Sequence, residues 1–536
     1  MKLNNQSLND RAFAEHNYKL PAYDREALCK KTKNEPVWVH MGAGNIFRSF
    51  IASAAQDSIE MGKMDRGIIV SEGFDYEIVD KAYRPFDNLC VSVILKADGN
   101  ISKTVVGSVA ESLVMAPEHE DWKRLKEIFC APSLQMVSFT ITEKGYNLKD
   151  VNANYTPGVL ADFEAGAENP QTYMGKVAAL CYERYRNGQL PLALVSMDNC
   201  SHNSERLMLA VTDFAKNWVA RGKVEAGFAD YICGGKKVAF PWTAIDKITP
   251  RPDALVQKSL IEDGLEDVLP VETSRHTFVA PFVNAEETQY LIVEDDFPNG
   301  RPELAAAGVF FGSRETVERF EQMKVCTCLN PLHTALAVLG CIMGYERISA
   351  EMQNEDLRRL VEKIAYVESM PVVVDPGIVD PMRFAKQVID ERLPNPFMPD
   401  TPQRIACDTS AKLSIRFGNT IKNYEKAENL DVRSLKYIPF ALAAWCRYLL
   451  KVDDNGCAME LSPDPMLKDV CPFVENIRLG DARDFHNELQ PILSNQTIFG
   501  VDLYEVGLAG LVERYFAQMV AGPGAVKDAL ARLMKD

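Results

Sequence analysis

Short apolar or β-branched runs alternate with stretches of helical periodicity up to about residue 300, the pattern of an α/β domain. Val37–Met41 reads as a buried strand, Ile46–Glu60 as a helix and Gly67–Ser71 as the next strand. Cys90–Leu95, Met136–Thr142 and Leu192–Met197 read as further strands. The last two run into polar residues, Thr142-Glu143-Lys144-Gly145-Tyr146 and Ser196-Met197-Asp198-Asn199. Ligands gather at such carboxyl ends in an open parallel sheet. From about Ser313 onward the period becomes helical, over Arg314–Leu329, Pro331–Met343, Asn354–Val367, Pro381–Glu391, Pro402–Tyr424, Ser434–Leu450 and Leu503–Val520. The expected architecture is an α/β fold followed by a second, mostly α-helical C-terminal domain. The divisions fall at 1–34 (an N-terminal extension), 35–303 and 304–536.

A chain of 536 residues exceeds what one hydrophobic core supports, in keeping with that division. The net charge of -16 argues against a nucleic-acid partner, which needs a concentrated positive surface. No stretch approaches about 18 uncharged apolar residues, and the nearest, Tyr437–Leu450, is interrupted by Arg447. The N-terminus is polar and of mixed charge, unlike a secretory signal. A cytoplasmic protein without a membrane partner is the expectation. Thirteen cysteines without repeating spacing read as reduced thiols, not a disulfide framework. With no Cys-x-x-Cys pair and no His-x-x-x-His, no metal site is expected.

Two clusters carry candidate chemistry. Gly42-Ala43-Gly44-Asn45-Ile46-Phe47-Arg48 follows a strand and opens a helix. Glycines there let the chain turn tightly and let backbone N–H groups approach a pyrophosphate at the helix start. Phe47 stands where the usual fingerprint has its third glycine, and a plain strand-to-helix turn is the bland alternative. In the functional reading this half is Rossmann-like. The next strand ends in Ser71-Glu72-Gly73-Phe74-Asp75, where Glu72 or Asp75 is placed to bind ribose hydroxyls and to favour NAD(H) over a 2′-phosphorylated cofactor.

The second cluster is Glu321-Gln322-Met323-Lys324 followed by Asn330-Pro331-Leu332-His333. Asn-Pro is a good cap and first-turn pair, so Asn330 has a purely structural reading as a helix cap. Functionally, Asn330 and His333 project near each other and Lys324 enters from the preceding helix. A lysine buried beside an amide and an imidazole loses stability in its charged form and moves toward the range of a general base. An amide donor suits an oxygen that gains negative charge. Asp198-Asn199 reads either as a ligand-facing strand end or as an Asx turn.

These segments taken in order resemble the long-chain mannitol dehydrogenase family, which includes mannitol 2-dehydrogenases and hexuronate reductases. The resemblance covers nearly all of the chain past the extension. It rests on Gly42-x-Gly44-x-x-Phe47-Arg48, Thr142-Glu143-Lys144-Gly145-Tyr146, Asp198-Asn199, Asp246-Lys247-Ile248-Thr249-Pro250, Glu294-Asp295-x-Phe297 with Gly300-Arg301-Pro302, Lys324…Asn330-x-x-His333 and Asp408-x-Ser410-x-Lys412-Leu413. It implies a metal-independent, nicotinamide-dependent dehydrogenase. Lys324 would be the acid/base, Asn199 and Asn330 would hold the reacting oxygen, and His333 would orient the substrate. Glu321 would pass the proton to water, and Arg404 and Lys412 would be a substrate-contacting basic pair. Glu321 and the basic pair also have bland readings as solvated surface charges. One departure stands out: five residues, Val325–Leu329, separate the lysine from the asparagine where the family has four. A helical bulge at Cys326–Cys328 or a longer loop before Pro331 must absorb the extra one.

The substrate implied is a small polyol or sugar acid. Pro281–Glu287 and the N-terminal extension resemble the hexuronate branch, so the expected reaction reduces a keto sugar acid, fructuronate to mannonate. The alternatives are a mannitol 2-dehydrogenase-type polyol enzyme and a catalytically silent nucleotide-binding protein of the same fold. The sequence does not speak to oligomeric state.

Overall fold

The computed structural model describes residues 1–535 and divides into two compact units. One comprises Met1–Leu95 and Asn100–Val317, the other Glu318–Asp536 with the turn Lys96–Gly99.

The first unit is built on a six-stranded, wholly parallel sheet. Numbering only its strands, β1 is Trp38–Met41, β2 Ile68–Glu72, β3 Val109–Val114, β4 Met136–Phe139, β5 Leu192–Ser196 and β6 Val238–Ala239. Their order across the sheet is β3-β2-β1-β4-β5-β6. This is the doubly wound dinucleotide-binding topology, whose order reverses between β1 and β4. The expected α/β class and Rossmann-like first half are therefore what the chain adopts. Strands β1, β2 and β5 are buried at every position, as expected of central parallel strands covered on both faces. One apolar core around Phe129, Phe163, Phe214 and Trp218 packs on one face. Another, around Trp38, Phe47, Phe50 and Ile69's neighbour Ile68, packs on the other.

The sequence pattern misses several strands. Cys90–Leu95 belongs to a separate sheet, ordered Tyr18–Lys19, Ile101–Val106, Cys90–Leu95, Phe282–Glu286. Strand β3 escapes notice because Glu111 and Ser112 interrupt its apolar run. The first 34 residues add an edge strand, and Arg25 ties them down by donating to the carbonyls of Gly107 (2.9 Å) and Val109 (2.8 Å).

The second unit is helical, as expected, around the buried helices Asn330–Met343 and Tyr437–Tyr448. The single helix expected over Pro402–Tyr424 is a correction: it breaks into Pro402–Ile405, Thr409–Arg416 and Gly418–Lys426. Asp408 turns the chain with φ +54°, and Gly418 lies so close to Phe499 O that a methyl there would be 2.1 Å away. The helix expected from Leu503 starts only at Ala509. Among the described residues one helix, Arg314–Met343, is long and apolar enough by composition to cross a membrane, and 83% of its apolar window is buried inside the protein.

Candidate active site

In the first unit the site is assembled at the reversal point of the sheet. Gly42 leaves β1 with φ +107°, and a methyl on it would lie 2.1 Å from Thr140 O at the end of β4. Only glycine fits there, because the obstacle is backbone. Gly44 is different: its φ is ordinary and nothing lies within 4 Å of where a methyl would point. The protein does not require glycine at 44, so the small residue leaves room for something outside the chain. Gly44, Asn45 and Ile46 are half-buried at the opening of the helix, where the first N–H groups lack intrahelical partners. That combination fits a pyrophosphate.

Phe47 is fully buried and stacks on His40, ring centroids 4.1 Å apart and 9° from parallel. The helix accommodates this bulk by opening as a π-turn over Phe47–Ile51 before Ala52–Glu60. His40 is held by Ser138 Oγ (2.7 Å) and Thr140 Oγ1 (2.9 Å), and burial pushes its pKa down to about 3. Arg48 is buried, and its Nε and Nη2 have no hydrogen-bond acceptor among the described residues.

Glu72 sits at the end of β2, as the sequence places it, with its carboxylate turned onto backbone. Oε2 accepts from Ala43 N (2.9 Å); Oε1 accepts from Phe74 N (2.8 Å) and Asp75 N (3.1 Å). Burial raises its pKa against the pull of those three N–H groups. It thereby pins the Gly42–Gly44 loop to the neighbouring strand end. Asp75 accepts from Thr273 Oγ1 (2.6 Å). Both tasks join residues too far apart in sequence to be read from local pattern.

At the end of β5, Asp198 accepts from Ile141 N (2.9 Å), Thr142 N (2.8 Å) and Tyr146 Oη (2.5 Å). It fixes the Thr142–Tyr146 turn, and the next residue, Asn199, is left exposed. Asp198 is thus a structural brace, and the pair is more than a local Asx turn.

In the second unit the extra residue after Lys324 is taken up by a bulge, the first of the two solutions the sequence allows. Lys324–Cys328 forms a π-turn, with Leu329 N donating to Lys324 O at 3.1 Å. A π-bulge absorbs one inserted residue without ending the helix, and such bulges recur at functional sites. Lys324 is buried, 6% exposed. Glu321, one turn earlier, is half-buried.

The helix Asn330–Met343 is entered from Leu329, and the Asn330 side chain forms no capping bond. Asn330 is the first helical residue; its carbonyl accepts from Thr334 Oγ1 (3.0 Å), while its amide makes no hydrogen bond among the described residues. The structural reading of Asn330 as a cap is therefore lost. One turn on, His333 is 15% exposed, with Nε2 3.4 Å from Asp400 Oδ2 but out of line for a hydrogen bond. Burial first, then the charges of Arg416, Arg392, Arg404 and Lys412, push its pKa down to about 3. It is a neutral imidazole at physiological pH.

Arg404 and Lys412 lie on two different short helices, not on one shared face. Arg404 is 59% exposed and pairs with Asp400. Lys412 donates to Cys407 O, and burial lowers its pKa. Arg416, one turn after Lys412, was not singled out from the sequence; the repeat of basic residues at four-residue spacing was the available signal. Its Nη1 donates to Thr334 Oγ1, beside His333. Among the described residues no group of three or more His, Cys, Asp or Glu is placed to hold a metal ion.

Family models of the mannitol dehydrogenase Rossmann domain and the mannitol dehydrogenase C-terminal domain match residues 37–306 and 316–519. A D-mannonate oxidoreductase of Thermotoga maritima is 51% identical over 537 residues, covering all of this chain and 99% of the relative. A mannitol 2-dehydrogenase of Aspergillus terreus is 28% identical, over 94% of this chain and 93% of its own. Among solved structures, Pseudomonas fluorescens mannitol 2-dehydrogenase in ternary complex with NAD and D-mannitol matches with a TM-score of 0.66 and 25% identity over the full length of both chains. A substrate-free D-sorbitol dehydrogenase shares the fold, with a TM-score of 0.79 and 23% identity over 99% of this chain and all of that one.

Proposed function

The chain belongs to the mannitol dehydrogenase family, and from that premise we propose that it is an NAD(H)-dependent oxidoreductase interconverting fructuronate and mannonate, with Lys324 as acid/base. The observation that carries the mechanism is the combination in the second unit. A buried lysine in a π-turn is followed by a helix whose first turn offers an unbonded amide and a neutral imidazole. Neither the Asn330 amide nor His333 Nε2 makes a hydrogen bond among the described residues, and such groups suit an oxygen changing its protonation.

The loop Gly42–Arg48 would hold the dinucleotide, with Gly44, Asn45 and Ile46 at the phosphates and Glu72 keeping the loop in place. Two buried carboxylates at the end of β2, Glu72 and Asp75, make a 2′-phosphate unwelcome and favour NAD(H). When bound, the nicotinamide supplies or accepts the hydride. Lys324 gives a proton to the carbonyl oxygen during reduction and takes it back during oxidation. Asn330 holds that oxygen, a role the family resemblance also gives to Asn199, and His333, kept neutral by burial and then by its cationic surroundings, donates a hydrogen bond to, or accepts one from, an adjacent hydroxyl. Glu321 would relay the lysine's proton to water. Arg404 and Lys412 would contact the substrate.

The sugar-acid choice is supported by the full-length relative named for mannonate and by the four cations that surround His333. Purified protein should be assayed for NADH oxidation with fructuronate, tagaturonate and fructose side by side, and for NADPH with the best of them. Fastest turnover with fructuronate and NADH is expected; faster turnover of fructose would sink the uronate choice, and NADH binding without turnover of any ketone would favour a silent protein.

A further inference from the structure

Charge is balanced unevenly around His333. Arg404 has Asp400 as its partner, and Lys412 feels Asp408 and Asp464 as well as the Cys407 carbonyl. Arg416 has no carboxylate within ion-pair reach among the described residues. It ends the helix Thr409–Arg416, which packs against both the π-turn of Lys324 and the helix of Asn330 and His333. Of its five N–H donors, the one hydrogen bond made goes to the hydroxyl of Thr334. Its remaining donors are not sealed in, since none is both buried and unbonded. Burial alone lowers its pKa to about 10, so the guanidinium stays charged at neutral pH without a counter-charge.

A partly desolvated cation without a counter-charge costs stability that a ligand supplying the anion can restore. Arginine's planar fork matches a carboxylate with two parallel hydrogen bonds. We propose that Arg416 binds the carboxylate of the substrate and so makes this enzyme select a keto sugar acid over a neutral ketose. The inference rests on the fructuronate reading above and assigns its specificity to a residue beyond the basic pair Arg404 and Lys412. Thr334 orients the guanidinium from behind, leaving its other edge for the ligand.

The test compares wild type, R416Q and R416K with fructuronate and with fructose at saturating NADH, alongside an NADH fluorescence titration and a melting curve for each variant. For R416Q, kcat/KM for fructuronate should fall about thirtyfold or more, as expected when one partner of a desolvated ion pair is removed. The loss should lie mainly in KM, with fructose turnover and NADH affinity unchanged. R416K, which keeps the charge but not the fork, should fall between the two. Equal loss on both ketoses, loss of NADH binding, or no loss at all would overturn the role of Arg416 while leaving the fructuronate reading intact. A wild-type protein that turns over fructose but no uronate would overturn both. Should R416Q melt early, R416K decides: full activity on fructuronate would refute the bidentate carboxylate contact.

Discussion

Gly42 and Gly44 stand two residues apart in one loop, yet the structure gives them opposite reasons for being glycine, and replacing each by alanine separates fold from ligand. At Gly42 the φ of +107° is hostile to any side chain, and the added methyl would meet Thr140 O at 2.1 Å and its carbonyl carbon at 2.8 Å. Backbone strain of that kind costs about 1–3 kcal/mol, and the contact adds to it because neither strand end can yield cheaply. A total near 3 kcal/mol lowers Tm by about 6–12 °C in a domain of a few hundred residues. At Gly44 the methyl enters open space with an ordinary φ, so stability should change by no more than about 0.5 kcal/mol, or rise slightly as the unfolded chain loses freedom. If that space is where the pyrophosphate packs, G44A should weaken NADH binding at least tenfold, about 1.4 kcal/mol. Melting curves and NADH fluorescence titration of the two variants provide both readings. G44A that binds NADH like wild type would refute the loop as a phosphate cradle and leave it a mere strand-to-helix turn.

Two further outcomes follow from buried ionisable groups. His333 has its pKa depressed from the ordinary 6.5 to about 3, so its neutral form is the folded one. Its contribution to stability is complete above pH 6.5 and is lost as pH falls toward 3, by at most about 5 kcal/mol over that window. Wild type should lose stability relative to H333Q, read as urea midpoints, as the pH drops from 8 to 4; a parallel pair of curves would contradict the assignment. Glu72→Gln removes one of the two oxygens that together accept three backbone N–H groups, two of them buried, and should cost about 1–3 kcal/mol of stability along with NADH affinity. An unchanged Tm would show that the carboxylate does not brace the loop.

What could be read from the sequence was whatever depends on near neighbours. Strands β1, β2, β4 and β5 announce themselves as short apolar runs because both of their faces are covered. The Gly42 turn and the Lys324, Asn330, His333 spacing are likewise local. The strands missed are those with one polar face or an interrupting charge, such as Val109–Val114, or very short edge strands such as Tyr18–Lys19. The pattern after Pro402 looks like one continuous helix because Asp408, which bears the left-handed turn, carries no mark that separates it from an ordinary helix-surface acid. The π-turns are invisible to a 3.6-residue period; only the miscounted spacing after Lys324 hinted at one. Glu72 on Ala43 and Arg416 on Thr334 are contacts across 29 and 82 residues, which nothing but a fold brings about.

The acid/base role of Lys324 is the claim on which the chemistry depends, and single-turnover oxidation of bound NADH by K324A tests it most directly. With NADH and ketone both saturating, the account expects cofactor affinity near that of wild type and a chemical step slowed by about 10²–10⁴, the usual contribution of a positioned proton donor. Wild-type single-turnover rates in K324A would contradict it.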